Sequence, residues 1–497
     1  MPIALPEEFL LLFRLAFGDV MLEAYLEQLK LPPYRGLRLN PLRQMPSDWS
    51  NEQPIPFESY AHYIESDDRI GNDPLHAAGL FYLQEPSAMA PARILHPQPY
   101  ECVLDLCAAP GGKTTQLATL MNDQGFLLAN DISATRAEAL VSNIERFGLQ
   151  SVAVTCATPT KLSHTYPDFF DAILVDAPCS GEGMFRKDPE AIAFWRFDHL
   201  EKLHSEQGVI LDQAYRMLRH GGRMVYSTCT INPIENELTL AAFLSRHPDM
   251  SLCPIDLATS IPGHPFATLS RIAMHHKAFS RYFDAYRDTL STMPSSSMRR
   301  LLPTEFNGEG HFIALLQKAH KGAATDQIMN PIRQISKKNN QNKPVDHQQW
   351  TIFSQFCAKN FTPAWLARLQ HTHHFSRQKD TLYAVNKALI ELPTYFRKGI
   401  PLISFSHKEI KPEHALAMTL REEDCLRVVR LPYGDDRALR YLEGHPITDD
   451  HITDGYCLIT LAGNPLGFGK ASQGTIKNHY PKGLRRTYAY ARLDETP

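Results

Sequence analysis

The chain of 497 residues has no Cys-x-x-Cys pair, no long hydrophobic run and almost no net charge. Each absence excludes something. The nine cysteines form an odd set without zinc-ligand spacing, so neither a disulfide framework nor a thiolate zinc site is expected. Free thiols in that number fit a reducing compartment. No stretch approaches the roughly eighteen apolar residues of a membrane-spanning helix. The apolar segment Phe9-Leu-Leu-Leu-Phe13 does not read as a secretory signal, because Glu7 and Glu8 stand where basic residues belong and Arg14 interrupts it. A cytoplasmic protein is expected. A net charge of -3 is low for a dedicated duplex binder, so any contact with nucleic acid must come from local patches.

What is present is ordinary globular material, 43% hydrophobic and 21% charged, enough for a large core in about two to four domains. Phe9, Phe13, Leu15, Ala16, Val20, Leu22, Tyr25, Leu26 and Leu29 fall largely on one side of a helix predicted over 7–30, a core-packing stripe that Pro32-Pro33 ends. From about residue 100 the pattern changes. Val103-Leu-Asp-Leu106, Phe126-Leu-Leu-Ala129, Val152-Ala-Val154, Ala172-Ile-Leu-Val175 and Arg223-Met-Val-Tyr226 alternate with helical spacing over 114–122, 133–147 and 198–219. That alternation predicts an α/β domain with a parallel sheet covered on both faces, its last strand at Phe312-Ile-Ala-Leu-Leu316. Residues 319–347, filled with Lys, Asn, Gln and Gly, read as a solvated linker. A separate carboxy-terminal part follows. Its last hundred or so residues carry short strand-like runs such as Cys457-Leu-Ile-Thr-Leu461 and predict a small β-rich module.

Two strand ends in the first half of the α/β region suit a nucleoside. Val103-Leu-Asp-Leu-Cys-Ala-Ala-Pro-Gly-Gly-Lys-Thr-Thr115 is a strand, a glycine turn that lets the backbone approach a ligand, and a helix start. It is not a P-loop, because the position of that motif's first glycine is Cys107. Asp131, at the end of the next strand, stands where ribose hydroxyls are bound, or else caps the helix it precedes. Two later strand ends carry cysteines, in Phe170-Asp-Ala-Ile-Leu-Val-Asp-Ala-Pro-Cys-Ser-Gly-Glu-Gly183 and Tyr226-Ser-Thr-Cys-Thr-Ile-Asn-Pro-Ile-Glu-Asn-Glu237. A lone cysteine is ordinarily a small core hydrophobe. Two at the carboxyl edge of one sheet, in polar loops and one beside an aspartate, are harder to assign to packing.

These segments resemble the RNA 5-methylcytosine methyltransferases of the Nop/Sun type. The likeness covers about residues 30–318. It rests on 107–113, 170–181 and Ser227-Thr-Cys-Thr230, with Gly36-Leu-Arg-Leu-Asn40, Leu83-Gln-Glu85, Arg186-Lys-Asp-Pro189 and Glu309-Gly-His-Phe-Ile-Ala314 in support. It implies a Rossmann-like S-adenosylmethionine-dependent methyltransferase domain over 96–318. Before it comes an amino-terminal α+β extension over 1–95, and after the linker a region over 348–497 that ends in a β-rich module of PUA type. The resemblance also implies that Cys107, Ala108, Ala109, Pro110, Gly111, Gly112, Lys113 and Asp131 hold S-adenosylmethionine, and that Asp176 lies between cofactor and target base. Cys229 would attack the base and Cys179 would help release the product.

The chemistry gives reasons for these residue types. C5 of cytosine is a poor nucleophile until a thiolate adds at C6 and pushes electron density onto it. Asp176 suits protonating N3 of the ring or hydrogen-bonding to it. Lys113 either adds positive charge nearby or is structural. The DNA cytosine-5 enzymes use the cysteine of a Pro-Cys pair, here Pro178-Cys179, as nucleophile. The second cysteine, in Thr228-Cys229, favours the RNA class. Where the family carries an aspartate to accept the adenine amino group, this chain has Thr158. Losing a hydrogen bond to a charged acceptor, about 1.5–3 kcal/mol, would weaken cofactor binding roughly 10–100-fold.

Lys470, Lys477, Lys482, Arg485, Arg486 and Arg492, with Tyr480, Tyr488 and Tyr490 interleaved, form either a phosphate-and-stacking surface or a solvated basic face. The short amino terminus and the β module resemble the RsmF-like bacterial branch. This implies a cytosine in the decoding region of 16S ribosomal RNA as target, with naked RNA or the 30S subunit as partner. Rival readings are a transfer RNA cytosine-5 methyltransferase and an RNA-binding ribosome-assembly factor with weakened catalysis. His275-His276 and His371-Thr-His-His374 read as surface histidines, and no metal is expected.

Overall fold

Cys102–Asp105, Phe126–Asn130 and Val152–Thr155 are buried along their whole length, as strands covered on both faces must be. The computed structural model describes residues 5–45, 53–65, 69–320, 343–345, 347–387, 396–405 and 410–491. Most of the expected linker at 319–347 and Arg492 lie outside them. Among the described residues the central sheet has nine strands. Five of them, ordered Leu218–Thr228, Phe170–Asp176, Cys102–Asp105, Phe126–Asn130, Val152–Thr155, are parallel. The expected parallel sheet is therefore one part of a mixed one. His311–Lys318 pairs antiparallel with Leu218–Thr228, and Met298–Leu301, Met250–Cys253 and Ile261–Pro262 extend that flank. The chain runs outward from Cys102–Asp105 in one direction and then returns to build the other side. The two strands at this reversal, Cys102–Asp105 and Phe170–Asp176, are neighbours, and their carboxyl ends make the crevice where ligands bind in such sheets.

The helices Gly112–Leu120, Ala134–Phe147 and Phe197–Met217 cover the faces. Ser133 caps the second of them, accepting from the Arg136 amide at 3.4 Å. The helix expected over 7–30 is two, Glu7–Phe17 and Asp19–Gln28. They are separated by Gly18, whose φ of +88° a helix cannot contain. The break turns Val20 out to 84% exposure, so it does not belong to the predicted stripe.

An amino-terminal antiparallel sheet orders Pro54–Ile55, Glu58–Ile64, Arg35–Leu39 and Phe81–Gln84. Among the described residues, two five-stranded sheets lie in the carboxy-terminal part, within 343–412 and 428–478. That part packs against the amino-terminal sheet. Leu37, Leu39, Leu75 and Phe81 pack in one hydrophobic cluster with Val429, Tyr441, Ile459 and Leu461. Asp73 accepts from Tyr433 Oη at 2.6 Å and from the Ala491 amide at 3.0 Å. The first and last sheets of the described chain thus share a core.

Candidate functional site

The turn after Cys102–Asp105 is tied to the next strand. The Ala108 amide donates to the Asn130 carbonyl at 2.7 Å, and Asn130 Nδ2 donates to the Leu106 and Ala157 carbonyls, each at 3.1 Å. Ala109-Pro110 is cis, and Gly111 has a φ of +112° at the start of helix Gly112–Leu120. Asp131, 3% exposed, accepts from the Ala109 amide at 3.3 Å and from the Ser133 amide at 3.0 Å. The helix cap is Ser133, so Asp131 is not there as the cap. From the other side Arg38, also buried, donates to the Gly112 carbonyl at 3.0 Å and to Thr115 Oγ1 at 2.7 Å, fastening the amino-terminal sheet to this helix.

Sequence reasoning missed two residues here. Asp105 is fully buried; its Oδ2 accepts from Thr114 at 2.7 Å while Oδ1 has no partner among the described residues, and burial pushes its carboxyl up to about 7. The signal was a charged residue inside an apolar strand. Ile132, next to Asp131, is 67% exposed, an apolar surface beside a polar crevice. Thr158 is exposed, and its hydroxyl caps helix Pro159–Thr165 by accepting from the Lys161 amide at 3.3 Å. The hydroxyl expected to face a ligand is thus already engaged in a cap.

Across the crevice Lys113 Nζ lies 2.7 Å from Asp176 Oδ2, Ser227 Oγ donates to Oδ1 at 2.8 Å, and His311 Nε2 stands 3.6 Å from Oδ1. Burial alone would raise the Asp176 carboxyl, but the Lys113 cation and the His311 ring outweigh it and hold it well below the usual carboxylate range. Burial likewise fails to lower the Lys113 ammonium, which the Asp176 charge raises. Asp176 is therefore held as a carboxylate, with Lys113 and Ser227 on its two oxygens.

The sulfurs of Cys179 and Cys229 are 3.2 Å apart. Hydrogen bonding with Cys229, burial and the Glu235 charge push the Cys179 thiol well up, so this sulfur keeps its proton. The two cysteine loops brace each other. Ser180 and Thr230 hydroxyls meet at 2.8 Å, and the Gly183 amide donates to the Cys229 carbonyl at 2.9 Å. Glu182 accepts from the Ile231 and Asn232 amides at 3.1 and 2.8 Å and from Trp195 Nε1 at 2.7 Å. Glu235 accepts from the Ser180 amide at 3.0 Å, Gln207 Nε2 at 2.9 Å and Asn232 Nδ2 at 2.8 Å. Burial, reinforced by Glu182, pushes the Glu235 carboxyl up to about 7. Glu182, Glu235, Ser227 and His311 lie inside the family-like segments, where the sequence alone assigns them no role. Acidic side chains embedded in Asn232-Pro-Ile-Glu-Asn-Glu237, every one buried, were the available sign.

The basic carboxy-terminal segment corrects one expectation. Tyr480, Tyr488 and Tyr490 are 4%, 6% and 9% exposed and belong to the shared core, so they are not a stacking surface for bases. Arg485 donates to the Tyr480 carbonyl at 3.1 Å. Arg486 donates to the Gly71 carbonyl at 2.9 Å and lies 4.8 Å over the Tyr488 ring. The Lys470 ammonium sits 5.3 Å over Tyr456, and Lys477 and Lys482 are exposed. Of the singled-out histidines, His276 and His373 are buried rather than on the surface; His276 stacks on Phe197, its Nε2 3.1 Å from Glu8. Among the described residues no cluster of three or more metal-ligating side chains occurs, and no helix is long and apolar enough to cross a membrane.

Three family models match the chain: 16S rRNA methyltransferase RsmB/F over residues 92–317, the N-terminal domain of 16S rRNA methyltransferase RsmF over 5–86, and the methyltransferase RsmF PUA domain over 428–486. The ribosomal RNA small subunit methyltransferase F of Escherichia coli O157:H7 is 31% identical, over 97% of this chain and 96% of that one. Its namesake from Shewanella loihica is 31% identical over 87% and 84%. Among solved structures, a methyltransferase homolog protein from Pyrococcus horikoshii is similar at a TM-score of 0.53 and 26% identity, covering 64% of this chain and 96% of its own. NSun6 from the same organism, at TM-score 0.51 and 20% identity over 65% and 100%, shares the fold.

Proposed function

This chain belongs to the 16S rRNA methyltransferase RsmB/F family, which uses S-adenosylmethionine, and from that premise we propose that it methylates C5 of a cytosine in 16S ribosomal RNA through a covalent adduct at Cys229. The observation that carries the reading is the pair of sulfurs 3.2 Å apart, on loops that follow neighbouring strands, beside the ionised Asp176.

The residues of the first crevice fit the cofactor. The unpartnered buried oxygen of Asp105, the carboxylate of Asp131 and the exposed face of Ile132 are polar and apolar features of the kind a nucleoside needs. Segment 107–113, Asp131 and Asp176 would hold it. Bound there, S-adenosylmethionine supplies an electrophilic methyl group. The Cys229 thiolate adds to C6 of the cytosine, and the negative charge this produces spreads to N3 and activates C5. Asp176, steadied by Lys113 and Ser227, accepts a hydrogen bond from the exocyclic amino group of the cytosine. Once C5 is methylated, its proton is lost to a base and the bond from C6 to Cys229 breaks. Cys179, which keeps its proton, donates a hydrogen bond to the departing sulfur. The cross-braced loops hold the two sulfurs in place throughout, so little reorganisation accompanies each step.

The protein acts in the cytoplasm on naked RNA or the 30S subunit, with exposed Lys477 and Lys482 among its phosphate contacts. Incubation with S-adenosylmethionine and, in parallel, 16S RNA, 30S subunits and transfer RNA, followed by bisulfite sequencing, tests the reading. One protected cytosine in 16S RNA, absent with Cys229→Ser, is expected. Protection confined to transfer RNA, or none in any substrate, overturns it.

A further inference from the structure

His311 opens the strand that pairs Phe312 with Thr228, which brings it level with the Cys229 loop. Its side chain is 2% exposed, and among the described residues neither ring nitrogen has a partner at ordinary hydrogen-bond length. Leaving a buried polar group unpaired costs about 1–3 kcal/mol, so such a group calls for an explanation. Nε2 stands 3.6 Å from Asp176 Oδ1, just beyond hydrogen-bond length. The same carboxylate already takes Lys113 on Oδ2 and Ser227 on Oδ1. Three side chains from three elements, helix Gly112–Leu120, strand Leu218–Thr228 and strand His311–Lys318, thus converge on one carboxylate. A histidine packed only as filler would have no reason to face the Asp176 carboxylate with an unused nitrogen.

We propose that His311 is a positioning residue for Asp176: on entry of the target base its Nε2–H closes onto Oδ1 and fixes the carboxylate plane against the pyrimidine edge. The closure needs a movement of less than about 1 Å to reach an ordinary hydrogen bond. A pyrimidine filling the crevice excludes water from Asp176, which strengthens each remaining donor. Lys113 and Ser227 hold the two oxygens; a donor from a third direction opposes rotation of the carboxylate about the bond that joins it to the side chain. The proposal rests on the reading that Asp176 meets the cytosine.

RNA carrying 5-fluorocytidine at the target site separates the two ideas. Fluorine at C5 cannot leave as the proton does, so the covalent adduct accumulates and its rate of formation reports attack and methyl transfer. His311→Leu, which removes the donor, should form adduct about 10–100-fold more slowly at saturating RNA and cofactor, with KM for S-adenosylmethionine unchanged and thermal stability equal or higher. His311→Gln, which keeps an amide donor, should recover most of that rate. Wild-type rates in the leucine variant overturn the assignment, as does equal slowing in both variants together with lost thermal stability. Should the leucine variant fail to fold, the glutamine variant decides: adduct formation slowed as far as 10-fold overturns the assignment, and a near wild-type rate supports it. No adduct with the wild-type protein overturns the covalent reading itself.

Discussion

Arg300 and Glu237 form an ion pair with both side chains 0% exposed. Arg300 donates to the two Glu237 oxygens at 2.7 and 2.6 Å and to the Ile231 carbonyl at 3.3 Å, and its guanidinium lies 4.9 Å over the Phe312 ring. Replacing Arg300 by Met leaves a buried carboxylate that, among the described residues, has only the His264 amide, at 2.6 Å, to satisfy it. Breaking such a pair from one side costs about 3–5 kcal/mol. For a domain of this size each kcal/mol moves Tm by about 2–4 °C, so a fall of about 6–20 °C is expected. Removing both charges is different, since a well-packed apolar pair is often as stable as the ion pair it replaces. Arg300→Met/Glu237→Leu should therefore return to within a few degrees of wild type. Its activity should not return. Ile231 lies two residues past Cys229, and without Arg300 its carbonyl loses one of the contacts that brace the loop. Scanning calorimetry beside single-turnover methyl transfer reads both quantities. A single variant within 2 °C of wild type, a double variant as unstable as the single, or a double variant with full activity would refute this account.

Cys229→Ser should abolish methylation, whereas Cys179→Ser should accumulate a protein–RNA complex that survives denaturing electrophoresis and disappears when Cys229 is also replaced. The complex appearing with Cys229→Ser instead means that the roles are exchanged. The Glu235 carboxyl, at about 7 when folded, lies above its unfolded value of about 4.3, so its contribution to stability is full below about pH 4.3 and is lost as pH rises through 7. Glu235→Gln should remove about 1.4 kcal/mol per pH unit of that slope between roughly pH 5 and 7 in urea titrations, leaving the similar contribution of Asp105; a slope parallel to wild type contradicts the burial argument. Thr158→Asp keeps an N-cap, so stability should hold, and tighter S-adenosylmethionine binding by calorimetry is expected if this side chain also reaches the adenine. Unchanged affinity restricts Thr158 to its helix. Neutralising Lys477 and Lys482 should reduce the salt dependence of RNA binding by about two counterions, while an unaltered slope leaves them a solvated face.

The parallel strands and both cysteine loops were legible in the sequence because apolar runs, turns and reactive side chains are local features. Gly18 was not read as a break because the stripe on either side continues through it in phase. The tyrosines of 480–490 looked like a surface because their neighbours are basic; Tyr480 packs against His414 and Tyr441 and Tyr490 against Tyr433, tertiary contacts that no local pattern carries. Asp105, Glu235 and His311 gain their meaning from partners on other strands and loops. Pairing of that kind is fixed by tertiary approach, and a single sequence records only that a polar residue sits in an apolar neighbourhood.

The shared core of the first and last sheets has a consequence for synthesis. Strand Phe81–Gln84 leaves the ribosome about 350–400 residues before the segment that covers its sheet. At about 5–20 residues per second, the apolar side of Leu37, Leu39 and Phe81 stands open for about 20–80 s in every nascent chain. During that interval it is a natural target for holding chaperones. A premature stop after residue 430 would leave it open for good while sparing every residue of the catalytic crevice, so such a product should be removed by proteolysis before its intact chemistry could be of any use.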